Sequence, residues 1–324
     1  DKYFFKLSLG VGSANTNVDF IVDTGSSVSW ISRGLCEKRE ELRSICAQAD
    51  NGEDGYAEYI DGRVEGKWTK LSLYFSEQNI ESINHHILIV NSTNANLPQA
   101  LIGLSKSSNP SHPTLLDTLL SNSIIPSLQY SLFKVSPGHY NLNIGSSTYP
   151  ARIDNKPSID IPSVDGMLVM VDVEGIRVGN SSVIGKVRRG VIDSGNSLLS
   201  IHGEYILSLL NSMKTQGLDC SFSPLPYNNR FSVLACNTQT ETIVLPSVSV
   251  LISSTVFTIP GSALIDKCVL SLLGDMFTDN SEYTCTTRIE IEEGGDRIRL
   301  GRPFMEAADV GVEMEGMKIK LGQN

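Results

Sequence analysis

The 324-residue sequence predicts an all-β protein made of two related halves. Most of the chain consists of short segments rich in Val, Ile, Leu and aromatic residues, bounded by Gly, Asn, Ser or Pro. Helical periodicity is confined to a few short segments. One motif, an apolar run followed by Asp-Ser/Thr-Gly, occurs once in each half. These observations indicate a duplicated β domain with few helices.

Period-two alternation and a high content of β-branched and aromatic residues predict the strands. The predicted strands are YFFKLSLGVG, VDFIVDTG, TKLSLYF, HHILIV, YNLNIG, LVMVDVEGIRVG, VSVLISSTVFTI and MKIKLG. Two segments, HPTLLDTLLSNS and HGEYILSLLNSMKTQG, instead place apolar residues at helical spacing. The second ends at Gly217, a residue type that favours the C-terminus of a helix.

The two halves match beyond the shared motif. In the first half, FIVDTGSSVS contains Asp23 and is followed by the apolar segment ALIGLS. In the second half, VIDSGNSLLS contains Asp193 and is followed by IRLGRPF. Self-similarity at half the chain length indicates a duplicated domain, because a solenoid needs several short repeats. The Gly-, Ser- and Pro-rich segment IGSSTYPARIDNKPS predicts a boundary near residue 150, and therefore domains 1–150 and 151–324.

The charge balance narrows the class of partner. The formal net charge is −10, with 26 basic and 36 acidic residues, which argues against a nucleic-acid partner. No apolar run approaches the roughly 18 residues needed to span a bilayer, so no membrane span is predicted.

The six cysteines predict disulfides. Their number is even and none forms a Cys-x-x-Cys pair, which argues against zinc or thioredoxin-like chemistry. Disulfides favour an oxidising compartment, so we expect a secreted or lumenal protein (cell exterior, vacuole or a lysosome-like compartment). Cys36 and Cys46 bracket a charged loop that a local bridge would tie down. Sequons at Asn91 and Asn180 agree with a secreted glycoprotein.

Two aspartates in matching turns suggest that their carboxylates work together. Two carboxylates within hydrogen-bonding reach share one proton, because both cannot easily carry a charge. One then acts as general base on a water molecule, and the other donates a hydrogen bond to a substrate carbonyl. Asp23 and Asp193 are therefore the candidate catalytic residues. An isolated Asp-Gly turn would be a structural feature only.

The residues around the two aspartates are predicted to support them. The glycines allow a tight turn and close backbone approach, and the Thr and Ser after each aspartate can cross-link the two loops. The residue that follows each glycine can hydrogen-bond the outer carboxylate oxygen. These residues are Thr24, Gly25, Ser26, Ser194, Gly195 and Asn196.

The chain resembles the pepsin-family aspartic endopeptidases over nearly its whole length. FIVDTGSSVSW resembles the first catalytic motif and GVIDSGNSLLS the second, while AEYIDGRVEGKW resembles the flap hairpin. ALIGLS and RLGRPF resemble the two strands that cross beneath the catalytic loops. The resemblance implies a bilobal pepsin-like fold, with two pseudo-symmetric β lobes and a substrate cleft between them. It also implies peptide-bond hydrolysis at acid to mildly acid pH by a secreted enzyme made as a zymogen, with no metal and no cofactor.

The resemblance further assigns roles to individual residues. Trp30 is expected to pack under the flap and hydrogen-bond Tyr59, the tyrosine that closes over substrate. Ile21 and Leu101 are expected to line the primary specificity pocket. The flap residues are Tyr59, Ile60, Asp61 and Gly62.

Cysteine pairing is implied only in part. The family spacing implies Cys236–Cys268, which leaves Cys220–Cys285 as the remaining pair beside Cys36–Cys46.

The chain departs from the family pattern at three places. Ile60 and Asp61 stand where Gly-Thr is usual, Asn196 where Ser or Thr is usual, and Arg299 where an apolar residue is normal. Asp61 predicts a preference for basic or polar residues near the cleavage site, and Asn196 predicts an optimum around pH 5. None of these changes removes a catalytic carboxylate.

Two other functions were weighed against an endopeptidase. A catalytically silent relative would bind peptide or protein in the same cleft. Such relatives usually lose an aspartate or a motif glycine, whereas Asp23, Gly25, Asp193 and Gly195 are all present here. A glycosidase with two carboxylates does not fit, because its acids seldom lie in twin Asp-Ser/Thr-Gly turns. The expected partners are a peptide or protein substrate and pepstatin-like inhibitors, and the expected state is a monomer.

Overall fold

The computed structural model describes residues 5–13, 15–59, 62–75, 80–91, 99–107, 109–136, 139–145, 159–160, 168–182, 185–225, 228–238, 242–270, 283–292, 297–316 and 318–323. The protein is mostly β-strand (55%), and its helices are few and short. The predicted all-β class is therefore confirmed. No helix in the described ranges is long and apolar enough to cross a membrane.

The strands are numbered in chain order. The first eleven are β1 (Lys6–Val11), β2 (Thr16–Asp23), β3 (Trp30–Ser32), β4 (Asp54–Tyr59), β5 (Gly62–Phe75), β6 (Ile80–Val90), β7 (Ala100–Gly103), β8 (Gln129–Ser136), β9 (His139–Ile144), β10 (Ile159–Asp160) and β11 (Met170–Val178). The others are β12 (Arg188–Ile192), β13 (Leu199–His202), β14 (Asp219–Leu225), β15 (Asn228–Thr238), β16 (Val248–Ile252), β17 (Thr255–Ile259), β18 (Ile265–Leu270), β19 (Tyr283–Glu292), β20 (Arg297–Leu300), β21 (Ala308–Glu313) and β22 (Lys318–Gln323).

The helices are α1 (Arg33–Lys38), α2 (Arg43–Ala49), α3 (Leu115–Ser121), α4 (Ile206–Thr215) and α5 (Arg302–Met305). Single 3₁₀ turns cover Glu40–Leu42, Gly203–Tyr205 and Gly261–Leu264. α3 begins with a capping box, in which the backbone N–H of Asp117 donates to the Thr114 hydroxyl and the backbone N–H of Thr114 donates to the Asp117 carboxylate. α4 ends before Gly217, whose φ of 76° is a conformation that favours glycine. Both segments with helical spacing are thus helices.

The chain divides into two compact units. Unit 1 comprises Asp1–Val169 and Val310–Lys320, and unit 2 comprises Met170–Asp309 and Leu321–Asn324. The predicted domain boundary between residues 150 and 151 falls outside the described residues and stays a prediction.

Unit 1 places one strand beneath the loop that carries Asp23. Its seven-stranded sheet has the order β1-β2-β7-β3-β6-β5-β4, and β1 also pairs with β5. β7 lies between β2, its parallel partner, and β3, its antiparallel partner. Because β2 ends at Asp23 and β3 begins at Trp30, the connecting loop crosses the end of β7. Val310–Lys320 also return to unit 1, where β21 and β22 complete a five-stranded sheet of order β10-β22-β21-β8-β9.

Unit 2 repeats this arrangement around Asp193. Its ten-stranded sheet has the order β14-β15-β19-β13-β20-β12-β11-β16-β17, and β18 pairs with β19. β20 is parallel to β12 and antiparallel to β13. The loop from Asp193 to Leu198 therefore crosses the end of β20, as the first loop crosses β7.

The disulfides correct two predicted pairings. Cys36 is bonded to Cys46 and joins α1 to α2, whereas the other bridges are Cys220–Cys236 and Cys268–Cys285. The predicted pairs Cys236–Cys268 and Cys220–Cys285 are therefore wrong.

Strand order explains the correction. Opposite positions of β14, β15, β19 and β18 carry one cysteine each, in the order Cys220, Cys236, Cys285, Cys268. Each wrongly predicted pair is separated by an intervening strand, hence by about 9.6 Å, which exceeds the roughly 7 Å that a disulfide can bridge. Directly opposite residues on neighbouring strands are the pairs that can bond.

Candidate active site

The loop that carries Asp23, the first candidate catalytic loop, is fixed by its own glycine turn and by β7. Asp23 is buried at the end of β2, and the backbone N–H of Gly25 donates to its Oδ1 at 2.7 Å. The N–H of Leu104 donates to the carbonyl of Asp23, and the N–H of Ser105 donates to the carbonyl of Ser26, both at 2.9 Å. The position of the Asp23 carboxylate therefore depends on the strand beneath it.

Gly103 allows the close approach of β7 to this loop. A Cβ at this position would lie 2.6 Å from the carbonyl oxygen of Ser26 and 2.8 Å from the nitrogen of Val28, both backbone atoms. Such distances are too short for a real side chain, so only glycine fits. Gly301 has the same role in unit 2, where a Cβ would lie 2.6 Å from the carbonyl oxygen of Asn196.

A chain of hydrogen bonds connects the loop to the hairpin formed by β4 and β5. The indole N–H of Trp30 donates to Tyr59 Oη at 2.9 Å, and Tyr59 Oη lies 3.1 Å from Ser26 Oγ. Ser26 Oγ also accepts from the N–H of Val28 at 3.1 Å and donates to its carbonyl at 3.2 Å. Tyr59 can therefore donate to Ser26 while it accepts from Trp30. The flap role of Tyr59 stays a prediction.

The turn of this hairpin is described only at its ends. Tyr59 lies opposite Gly62, whose φ is 137°. Ile60 and Asp61, the residues between them, lie outside the described residues. Their predicted effects on substrate choice stay predictions.

Ile21 and Leu101 lie side by side on β2 and β7. Both are buried, and Leu101 belongs to the apolar cluster around Trp30. The cluster consists of Trp30, Ala57, Val64, Leu88, Val90 and Leu101. Their predicted part in a specificity pocket stays a prediction.

The loop that carries Asp193, the second candidate catalytic loop, has the same design. The N–H groups of Gly195 and Asn196 both donate to Asp193 Oδ1 at 3.1 Å, and the N–H of Asp193 donates to the carbonyl of Leu300 at 3.2 Å. The side-chain oxygen of Asn196 accepts from the N–H of Leu198 at 3.0 Å. The structure thus gives the Asn196 backbone, rather than the predicted side-chain amide, as the donor to Asp193.

Thr24 and Ser194 are both buried beside their aspartates. Their predicted cross-link, like the pairing of the Asp23 and Asp193 carboxylates, joins the two units and stays a prediction.

The sequence does not predict the contacts of two buried polar side chains near the loops. His85 Nε2 lies within hydrogen-bonding distance of Ser29 Oγ in the first loop, at 3.2 Å. Arg299, noted only as a departure from the family, pairs with Glu290 at 2.9 Å and donates to Ser200 Oγ at 3.2 Å. No local pattern indicates these partners, because each contact depends on which strands are neighbours.

The comparison with protein families assigns the chain. Residues 2–324 match the family described as eukaryotic aspartyl protease. The match covers the whole chain, and both twin loops have the Asp-Ser/Thr-Gly sequence at the end of a buried strand. The chain therefore belongs to the eukaryotic aspartyl protease family, and the resemblance to the pepsin-family aspartic proteases is confirmed. A search of curated proteins gave no match.

Proposed function

We propose that this protein is an active aspartic endopeptidase in which Asp23 and Asp193 share one proton and activate a water molecule. The observation that carries the proposal is the repeated local geometry. In each unit an aspartate follows a buried strand, and its Oδ1 accepts the backbone N–H of the glycine two residues later. This chemistry requires two carboxylates, and each unit holds one in the same kind of local turn.

In the proposed reaction the ionised carboxylate removes a proton from water as its oxygen attacks the peptide carbonyl carbon. The protonated carboxyl donates to the carbonyl oxygen, which gives a tetrahedral diol. Proton transfer to the amide nitrogen then allows the C–N bond to break, and the two products are a carboxylic acid and an amine. No bond forms between the protein and the substrate.

The remaining parts of the proposal concern substrate and setting. Tyr59 and the hairpin turn with Ile60 and Asp61 cover an extended peptide, and Ile21 and Leu101 favour an apolar side chain beside the scissile bond. Three disulfides among the described residues fit a secreted or lumenal protein that works at acid to mildly acid pH. Pepstatin-like compounds are expected to inhibit it.

The test compares Asp23→Asn and Asp193→Asn with wild type in the digestion of a denatured protein between about pH 3 and 7. Each variant should lose activity by roughly 10²- to 10⁴-fold, because an amide can neither accept nor supply the shared proton. Asp19→Asn is the matched control, since Asp19 is exposed on the same strand as Asp23, and it should retain full activity. High activity in either catalytic variant would exclude the shared-proton mechanism.

The alternative is a silent family member that binds peptide without cleaving it. Folded wild-type protein that binds a statine-type inhibitor but cleaves nothing across this pH range would establish that alternative.

A further inference from the structure

A chain of buried polar groups runs beneath the first catalytic loop. The N–H of Gly103 donates to Ser29 Oγ at 3.3 Å, and Ser29 Oγ lies 3.2 Å from His85 Nε2. On the other side of the ring, His85 Nδ1 lies 3.0 Å from Thr118 Oγ1, which donates to the carbonyl of Thr114 at 3.0 Å. Ser29, His85 and Thr118 are each at most 4% exposed, so the groups must satisfy one another.

The direction of every proton in this chain follows from its ends. The Thr118 hydroxyl uses its proton on the carbonyl of Thr114, so it accepts from His85 and the histidine carries its proton on Nδ1. His85 Nε2 is then an acceptor, and the Ser29 hydroxyl donates to it. Ser29 Oγ in turn accepts from Gly103. The chain is complete only when His85 is neutral.

The Ser29 end of this chain bears on the geometry of the catalytic loop. Ser29 is the last residue of the loop before β3, and it holds the same β7 segment whose next two residues bond the carbonyls of Asp23 and Ser26. With the glycine contact of Gly103, these bonds press the end of β7 against the loop. A shift of Ser29 is therefore transmitted to the backbone that carries the Asp23 carboxylate.

The corresponding position in unit 2 cannot make this contact. The residue six positions after Asp193 is the apolar Leu199, where unit 1 has Ser29. In unit 2 three of the buried polar residues, Ser200, Glu290 and Arg299, instead lie side by side on β13, β19 and β20. The Ser29–His85 contact is thus a property of unit 1 and not a requirement of the repeated loop design.

We propose that His85 is a positioning residue for Asp23: in its neutral Nδ1–H form it orients Ser29, and Ser29 holds Gly103 and the first catalytic loop in place. This inference rests on the proposed peptidase function. His85 touches neither substrate nor the reacting atoms and acts through Ser29.

The surroundings of His85 keep the ring neutral. Burial, and secondarily the neighbouring His86, lowers the pKa of His85 to about 3. On β5 the opposite residue, Leu71, is apolar and buried. The charged or titratable groups on the elements around it include His86 on β6, Lys70 opposite His86 on β5, and Asp117 in the capping box of α3, and Asp23 ends β2.

The test is a comparison of kcat and KM for Ser29→Ala, Ser29→Thr and Thr118→Val at about pH 5. Ser29→Ala should lower kcat by between 10- and 100-fold, the scale expected of a misplaced reacting group, and change KM less than about twofold. Ser29→Thr keeps the hydroxyl and should restore most of kcat. Thr118→Val removes the acceptor of the His85 Nδ1–H, and its kcat should lie between those of Ser29→Ala and Ser29→Thr. Ser249→Ala removes a similarly buried hydroxyl in unit 2 and should leave kcat unchanged.

A second readout does not depend on activity. Long-range ¹H–¹⁵N NMR of the His85 ring in the folded wild-type protein should show the neutral Nδ1–H tautomer from about pH 7 down to 4.5. An Nε2–H tautomer, or a wild-type kcat in folded Ser29→Ala, overturns the inference. An inactive wild type with the Nδ1–H tautomer refutes the proposed function instead, and with it the proposal that His85 positions Asp23 for catalysis.

Discussion

Replacing His85 with glutamine should make unit 1 more stable in acid, although it should lower the free energy of unfolding at neutral pH. Between the ordinary histidine pKa of 6.5 and the folded value of about 3, the unfolded chain binds a proton that the folded protein does not. The free energy of unfolding therefore falls as pH falls, by about 1.4 kcal/mol per pH unit, and above pH 6.5 the effect vanishes. Over the whole interval of roughly 3.5 units the loss is about 5 kcal/mol.

Glutamine does not titrate, so this loss is absent from His85→Gln. The variant also loses the hydrogen bond to Thr118, at a cost of about 1–3 kcal/mol at neutral pH, because a buried hydroxyl loses its donor. With a cost near 2 kcal/mol, the two stability curves should cross near pH 5. Below the crossing the variant should be the more stable protein.

The assay is urea unfolding followed by tryptophan fluorescence at pH 7, 6, 5 and 4. Both tryptophans of the chain, Trp30 and Trp68, lie in unit 1, so the signal reports that unit. His86→Gln is the control, because His86 is much less buried than its neighbour and should change the pH dependence only slightly. Parallel stability curves for wild type and His85→Gln would refute the linkage argument, since they would show that the two states bind this proton alike.

Two further predictions concern buried contacts near the loops. Arg299→Met should destabilise unit 2 by about 3–5 kcal/mol because it leaves Glu290 buried without its cation, whereas the double variant Arg299→Met/Glu290→Met should recover most of this loss, as measured by urea unfolding followed by circular dichroism. Failure of the double variant to recover stability would show that the ion pair itself stabilises the unit. Tyr59→Phe removes the acceptor of the Trp30 indole N–H and should lower the stability of unit 1 by about 1–3 kcal/mol, seen as a lower urea midpoint of tryptophan fluorescence. An unchanged midpoint would show that the indole finds another acceptor.

The parts of the site that sequence could predict are those set by local chemistry. Asp23 and Gly25 are two residues apart, and the N–H of the glycine reaches the carboxylate through a turn that the tripeptide itself forms. Gly103 lies in ALIGLS, the apolar segment that follows the Asp23 motif in the sequence. These features need no knowledge of which strands are neighbours.

The cysteine pairs could not be predicted because they depend on strand order. β15 and β18 both pair with β19 although β19 follows them both in sequence, and this order separates Cys236 from Cys268 by one strand. Spacing along the chain carries no record of that order. The same limit applies to Asn196, whose side chain bonds Leu198 in its own turn and leaves the contact with Asp193 to the backbone.

The two buried polar networks show how duplicated loops can differ beneath the same backbone design. Each loop crosses a strand, β7 in unit 1 and β20 in unit 2. Unit 1 supports its loop with a neutral histidine through Ser29. In unit 2, Arg299 and Glu290 instead form an ion pair on either side of Ser200. His85 can accept the hydrogen bond from Ser29 only while its ring is neutral, whereas an arginine stays charged at every pH in which a protein folds. In unit 1 acid acts on the imidazole of His85, whereas in unit 2 it acts on the carboxylate of Glu290, because Arg299 stays charged. The support that requires a neutral histidine therefore lies beneath the loop that carries Asp23.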